Sequence, residues 1–287
     1  MKVLVAGAGG QLGRALIESV PSTIELIARD RRSLDVADRD AIGRAIESLE
    51  PAVVVNATAY TAVDKAEAES ELAHRINAEA PGWIAEACRR HGSRLVHVST
   101  DFVFDGRAAR PYRPHDPTGP LSVYGATKLE GERRVLREHP DGSAIFRTAW
   151  LYDAANRNFA TTMLRLMGER PVVRVVADQF GTPTSVRGLA RAIWRAIEAD
   201  VTGILHWTDA GSASWYDFAE AIRRLGQSRG IVPSGVRIEP ISTDEYPTPA
   251  KRPAFSVLDK SATWTALGLA GIHWQDALVE TLGSLSP

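Results

Sequence analysis

Residues 2–13 read KVLVAGAGGQLG: an apolar, β-branched run, glycines at 7, 10 and 13, then the start of a helix-like segment extending to Val20. No other stretch narrows the choice of fold as far. A strand that turns tightly into a helix opens a βαβ unit, and each glycine has its own task there. Gly7 lets the chain turn, Gly10 lets backbone approach a pyrophosphate, and Gly13 lets helix and strand pack closely. Gln11 and Leu12 complete the turn, and the helix start offers free N–H groups and a partial positive charge to an anion. Glycines also serve ordinary turns. The strand before and the helix after make dinucleotide binding the expected role here.

The first half of the chain repeats the unit. Apolar runs at Ile24–Ala28, Ala52–Asn56, Arg94–Ser99 and Ser143–Arg147 alternate with helix-like segments at Asp38–Leu49, Glu69–His91 and Val123–His139. In the first of these segments Ile42, Ala45, Ile46 and Leu49 recur at helical spacing. Strands that are apolar throughout suit a parallel sheet covered on both faces. The expected fold is α/β, a Rossmann-type doubly wound parallel sheet with a smaller C-terminal substrate-binding lobe. After Thr148 the order changes. Helix-like Asn158–Met167 precedes strand-like Val172–Val176 and helix-like Val186–Ala199 and Ser214–Arg229. A Pro/Thr-rich passage, Glu239–Pro253, and a last helix-like segment follow. We expect residues 1–148 to be mainly the dinucleotide-binding part and 149–287 mainly the substrate lobe. Late strands and helices of the second part return to the first, in one compact body.

A chain of 287 residues, 44% hydrophobic and 24% charged, can bury a core of this size. The net charge of −1 gives no electrostatic reason to expect nucleic acid or an anionic membrane as partner. No apolar run approaches the ~20 residues of a membrane span. The lone Cys88 cannot form an internal disulfide, and a strand begins almost at once, leaving no room for a leader. A cytoplasmic enzyme or binding protein is expected.

Cofactor choice belongs to the end of the second strand, where residues 28–32 read ARDRR. Asp30 can bind a ribose 2′-hydroxyl, whereas Arg29 can pair with a 2′-phosphate, and Arg31 and Arg32 add positive potential. The balance favours NADPH modestly and leaves NADH usable.

Val123–Glu132 reads VYGATKLEGE, placing Tyr124 and Lys128 on one helical face. The fourth strand ends in Ser99-Thr100-Asp101, at the carboxyl edge where such sheets bind ligands. Hydride reduction of a ketone generates an alkoxide that must receive a proton. A tyrosine phenol free in water gives up its proton only near pH ~10, and a neighbouring ammonium is expected to bring that down. Thr100 can hold the carbonyl oxygen. Thr100, Tyr124 and Lys128 are therefore the candidate catalytic residues.

Together, Gly7-x-x-Gly10-x-x-Gly13, Thr100 and Tyr124-x-x-x-Lys128 resemble the extended short-chain dehydrogenase/reductases. Within them, a set of stretches is similar to the dTDP-4-dehydrorhamnose reductase family. They are NATAYTAVDKAE (56–67), STDFVFDG (99–106), PLSVYGATKLEGE (120–132), FRTAW (146–150), NFATTMLRL (158–166), DQFGTPT (178–184) and RPAFSVLD (252–259). The resemblance implies reduction of the 4-keto group of dTDP-4-dehydro-β-L-rhamnose with NADPH or NADH, for cell-surface polysaccharide, and allows a homodimer. It places Gly10, Gln11 and Leu12 at the pyrophosphate and Asp30 at the adenosine ribose. Asp35 and Val36 then border the adenine, and Ala59, Tyr60 and Thr61 line the cofactor groove. Lys128 holds the nicotinamide ribose, Thr100, Asp101 and Tyr124 meet the sugar, and Trp150 covers it or its diphosphate. RPAFSVLD is expected to close the substrate lobe.

Some relatives bind Mg²⁺ between subunits through two glutamates. Here those positions resemble Ala15 and Arg187, so no metal is expected. Nucleotide-sugar 4,6-dehydratases place Glu after Thr-Asp, but this chain has Phe102, whose ring cannot transfer a proton. Two alternatives stay open: a 4-ketoreductase for another dTDP-deoxysugar, and a non-catalytic, cofactor-binding relative of the methionine adenosyltransferase regulatory subunit. The intact Thr100, Tyr124 and Lys128 set argues against the second.

Overall fold

The computed structural model describes residues 1–283. The chain opens with β1 (Lys2–Ala6), α1 (Gln11–Glu18), β2 (Glu25–Arg29), α2 (Arg39–Leu49) and β3 (Val53–Asn56). It continues through α3 (Ala80–His91), β4 (Arg94–Thr100), α4 (Val123–Glu138) and β5 (Ser143–Thr148). Then come α5 (Phe159–Glu169), β6 (Val172–Val176), α6 (Val186–Glu198), β7 (Gly203–His206), α7 (Trp215–Ser228), β8 (Arg237–Ile241) and α8 (Trp274–Leu282). One six-stranded sheet runs in the order β7-β5-β4-β3-β1-β2, with every pair parallel. The order reverses at β1, so the crevice between the carboxyl ends of β1 and β3 is the switch point where such sheets bind ligands.

Burial on both faces follows from the apolar strands. Val3, Val5, Val55, Val96 and Phe146 pack with residues of α1 and α6, whereas Leu4, Val54, Leu95 and Ile145 pack with α2, α3 and α4. On the second face the apolar row turns polar near the carboxyl edge. Asn56 and His97 are register partners there, as are Ser99 and Arg147, and all four are buried.

Beyond Thr148 the chain serves two cores. α5, β6, α7 and β8 enclose Met163, Met167, Val173, Val175, Phe218, Ile222 and Ile238, while α6 and β7 belong to the layers of the main sheet.

The structure corrects four sequence expectations. β7 (GILH) was not among the expected strands; its short run after Gly203 becomes a strand by pairing with β5. β2 lies one residue later than Ile24–Ala28. The Pro/Thr-rich passage begins inside β8, whose Pro240 is tolerated because β8 pairs on one side only, with β6. The expected helix Glu69–His91 is divided into Ser70–His74, a π-helical turn at Arg75–Glu79, and α3.

Candidate active site

The glycine turn is shaped by missing side chains. Gly7 has a φ of +92°, and a Cβ there would stand 2.8 Å from the Ala57 carbonyl at the end of β3. A Cβ on Gly13 would stand 2.2 Å from the Gly7 oxygen. The N–H groups of Gly7 and Ala8 both bond the Arg29 carbonyl at 2.9 Å, locking the turn to β2. Gly10 caps α1 without a side chain, so no side-chain oxygen occupies the first-turn N–H groups. A dinucleotide pyrophosphate suits that donor set.

The other expected cofactor residues gather around this edge. The Asp30 carboxylate accepts from the main-chain N–H groups of Arg32 (3.1 Å) and Ser33 (3.0 Å) and from the Ser33 hydroxyl. The Ser33 contact holds it below the usual carboxylate range. Arg29, partly exposed, precedes it at the end of β2. Asp35 accepts from the Ala37 N–H, and Val36 is buried. Ala59, Tyr60 and Thr61 follow β3. Asn77, from the π-helical turn, accepts from the Tyr60 N–H (2.8 Å) and donates to the Tyr60 carbonyl (3.1 Å) and the Thr127 hydroxyl on α4 (3.3 Å). One buried amide thus ties the groove loop to the helix that carries Tyr124. The Tyr60 hydroxyl donates to Glu69 at 2.6 Å.

At the reaction corner, the Ser122 hydroxyl caps α4 by accepting from the Gly125 N–H. A Cβ on Gly125 would stand 2.3 Å from the Phe102 carbonyl, so only glycine lets this helix rest on the turn after β4. That approach brings the Tyr124 phenol near enough to the Thr100 hydroxyl for Thr100 to favour its ionised form. Thr100 also donates to the Asp101 carboxylate at 3.0 Å, and the Phe102 ring meets Tyr124 edge-on at 5.6 Å. Burial pushes the Asp101 carboxyl up to about 6. Burial likewise pushes Tyr124 up to about 12, opposed by Thr100 and assisted by the Asp101 charge.

Burial, rather than the lowering expected from Lys128, sets the direction of the phenol's shift here. The Lys128 ammonium is turned to the Val98 carbonyl, 2.6 Å away, with His97 Nε2 at 3.5 Å. Burial pulls Lys128 down to about 8, with Glu132 opposing. Desolvation outweighs the opposing Glu132 charge at Lys128 and the opposing Thr100 hydroxyl at Tyr124.

A cleft of about 630 Å³ opens beside this corner, lined by Phe102, Trp150, Trp215, Arg170, Arg252 and Ser256 among others. Trp150, at φ +49°, stacks on Trp215 with centroids 3.5 Å apart and an 8° tilt. The stretch RPAFSVLD reaches both grooves: Arg252 grips the Asp64 carboxylate through two nitrogens (3.0 and 2.8 Å), and Ser256 lines the cleft with Phe102. Gln11 accepts from the Asn158 side chain (3.1 Å), which caps α5, joining the glycine turn to the lobe.

Sequence reasoning missed Asn77, His97, Trp215 and the contacts of Ser256. For His97 a signal existed, a histidine inside the apolar run RLVHVST. Asn77 and Trp215 meet their partners only through the fold. Ala15 and Arg187 line a second cleft, of about 660 Å³, between α1, α6 and α8. Among the described residues no group of three or more His, Cys, Asp or Glu is placed to hold a metal ion.

A dinucleotide turn on a doubly wound sheet, with the Tyr124 phenol and the buried Thr100 hydroxyl at the same edge, is the arrangement of a nicotinamide-dependent reductase of the short-chain dehydrogenase/reductase class. Known proteins narrow the assignment. The family described as RmlD substrate binding domain matches residues 1–286, and the chain belongs to that family. It is 43% identical to a dTDP-4-dehydrorhamnose reductase of Burkholderia thailandensis, over 97% of both chains. It is 42% identical to a probable dTDP-4,6-dihydroxy-2-methyloxan-3-one 4-ketoreductase of Streptomyces antibioticus, over 98% of this chain and 94% of the relative. The crystal structure of a Bacillus anthracis dTDP-4-dehydrorhamnose reductase in complex with NADP superposes with a TM-score of 0.92, at 33% identity and 99% coverage of both chains.

Proposed function

We propose that the chain reduces the C4 ketone of dTDP-4-dehydro-β-L-rhamnose to give dTDP-L-rhamnose, with NADPH preferred and NADH usable. The observation that carries this reading is the Thr100–Tyr124 hydroxyl pair beside the cleft wall formed by Phe102 and Ser256. A ketone oxygen between the two hydroxyls is held by Thr100 and protonated by Tyr124. Because burial keeps the phenol protonated through neutral pH, it releases its proton only to a strong base such as a forming alkoxide. The bound nicotinamide supplies the hydride to the carbonyl carbon. The turn Gly7–Gly13 and the start of α1 hold the pyrophosphate, and Arg29 and Asp30 read the adenosine ribose. Asp35, Val36 and Ala59–Thr61 border the remainder of the dinucleotide. Lys128 restores the Tyr124 proton, and Asp101 and Trp150 meet the sugar nucleotide. The cleft's apolar wall and its Arg170 and Arg174 side chains suit a nucleoside diphosphate.

The Streptomyces antibioticus relative supports a second reading, a 4-ketoreductase for a different dTDP-deoxysugar. A panel of dTDP-4-keto sugars, assayed by loss of reduced-nicotinamide absorbance, separates the two. The rhamnose precursor should give the highest kcat/KM; a higher value for another sugar transfers the assignment, and no turnover of any sugar removes the enzyme reading.

The same reading includes a cytoplasmic location and a homodimer. Among the described residues no helix is long and apolar enough to cross a membrane. Exposed Ile17 and Val279 stand on α1 and α8, the helices bordering the second cleft, and offer apolar contacts to another copy. Sedimentation of the purified chain tests the dimer.

A further inference from the structure

Beneath the reaction corner, Lys128 ends a row of polar side chains, Asn56 and His97, that have no part in the chemistry above. The Thr58 N–H donates to Asn56 Oδ1 at 3.1 Å, and the Thr58 hydroxyl donates to the same atom. An N–H needs an oxygen opposite it, so the Asn56 amide has one orientation. Its Nδ2 then lies 3.2 Å from His97 Nδ1. An amide nitrogen only donates, so Nδ1 accepts, and the neutral ring carries its proton on Nε2. That Nε2–H is directed at Lys128 Nζ, 3.5 Å away, while Nζ donates to the Val98 carbonyl. Two donors therefore face each other. An ammonium has no lone pair to offer Nε2–H, but a neutral amine has one.

We infer that Asn56, by fixing the His97 proton on Nε2, makes His97 a positioning residue that favours the neutral amine Lys128 leaves when it restores the Tyr124 proton. This rests on the reading of the site as a ketoreductase. Once Tyr124 has passed its proton to the ketone oxygen, its phenolate is restored by one proton that originates on the Lys128 ammonium. The amine left behind accepts the His97 Nε2–H bond, and solvent later returns its proton. No redox change accompanies this step.

The charged surroundings agree. Burial pulls Lys128 down and holds His97 neutral, well below its usual range. Glu132, one turn along α4, opposes the fall of Lys128, but its carboxylate is itself gripped by Arg147 through Nε and Nη2 and accepts from Ser99. Tyr124 lies one turn back on the same helix, with Asp101 beyond it acting on the phenol.

The test reads the ring directly. Nitrogen NMR of the full-length chain labelled at histidine should show His97 neutral, with Nε2 protonated and Nδ1 bare across the neutral range. An Nδ1–H ring, or a charged one, overturns the inference. Asn56→Asp keeps the shape and the Thr58 contacts but offers Nδ1 an acceptor. The ring should switch to Nδ1–H, and the Lys128 midpoint, read from its side-chain resonances, should rise by about one pH unit or more. The falling high-pH limb of ketone reduction should rise with it. A ring that switches while the Lys128 midpoint stays put overturns the inference, as does a midpoint that rises without a switch. If the variant does not fold, the tautomer in the parent chain still decides. The NMR readings need no substrate, so a chain that reduces no sugar would remove the proposed function and leave this outcome separately visible.

Discussion

The glycine turn and the Tyr124 corner occupy the same edge of one sheet, yet they are built in opposite ways. The turn is a single continuous stretch, Gly7–Gly13, that works through main-chain groups and through the absence of side chains. The corner draws Thr100 from β4 and Tyr124 and Lys128 from α4, and the cleft beside it adds Ser256 from the far end of the chain. Its groups are buried and titratable, with Tyr124 pushed to about 12, Asp101 to about 6 and Lys128 to about 8. An anion can be bound by donors that need no change of state. Moving a proton requires groups whose charged forms are costly, and burial supplies that cost.

The comparison can be broken in several places, and the largest effect is expected at the corner. Tyr124→Phe removes the transferable proton and keeps the ring against Phe102. Turnover should fall by roughly 10²–10⁴-fold while NADPH affinity, measured by fluorescence titration, stays within about twofold. Half-activity in this variant would take Tyr124 out of the chemistry.

Gly13→Ala probes the turn in the reverse sense. The new methyl would enter the space of the Gly7 carbonyl, costing about 1–3 kcal/mol and opening the turn. Thermal stability and NADPH affinity should drop together; a variant that melts like the parent and binds normally would show the turn is not closed by contact.

Asp101→Asn separates the two regions by pH. The folded chain holds Asp101 protonated up to about 6, above its ordinary value of 3.8. The unfolded chain loses that proton first, so parental stability should fall as pH rises from near 4 through 6 and then level off. In the variant that part of the fall should vanish in melting curves taken across the interval. An identical pH profile would place Asp101 in contact with water.

Arg29→Ala touches only the rim of the turn. It should raise KM for NADPH roughly fivefold, the size of an exposed charge pair, and leave KM for NADH nearly unchanged. Equal effects on both would make Arg29 a bystander. The smallest expected effect is that of EDTA, which should change neither rate nor sedimentation, given Ala15 and Arg187 at the positions in question. Loss of activity restored by Mg²⁺ would show that the ligands lie elsewhere.

How much could be read from the sequence follows from the same contrast. The turn, its strand and its helix are local, and spacing alone located them. The i, i+4 relation of Tyr124 and Lys128 was equally legible, but the partner of the lysine was not. Its ammonium meets β4 residues His97 and Val98 because α4 lies across that strand, a relation no local pattern encodes. β7 escaped notice since GILH acquires its strand character from β5 alone. The pairing of Trp150 with Trp215 depends on how α7 of the lobe packs against the turn that follows β5, beyond the reach of periodicity.

The π-helical turn at Arg75–Glu79 bears on heredity as well as on geometry. It accommodates one residue more than an α-helical path would, and that surplus aims Asn77 at the Tyr60 loop and at Thr127. A single-codon deletion there would restore a regular helix, relieve its poorer hydrogen bonding, and turn Asn77 aside by about 100°. Descendants carrying that deletion would gain a smoother helix and lose the tie between cofactor groove and catalytic helix. A deletion beside Asn77 and a substitution of Asn77 itself would therefore cut the same tie by different routes.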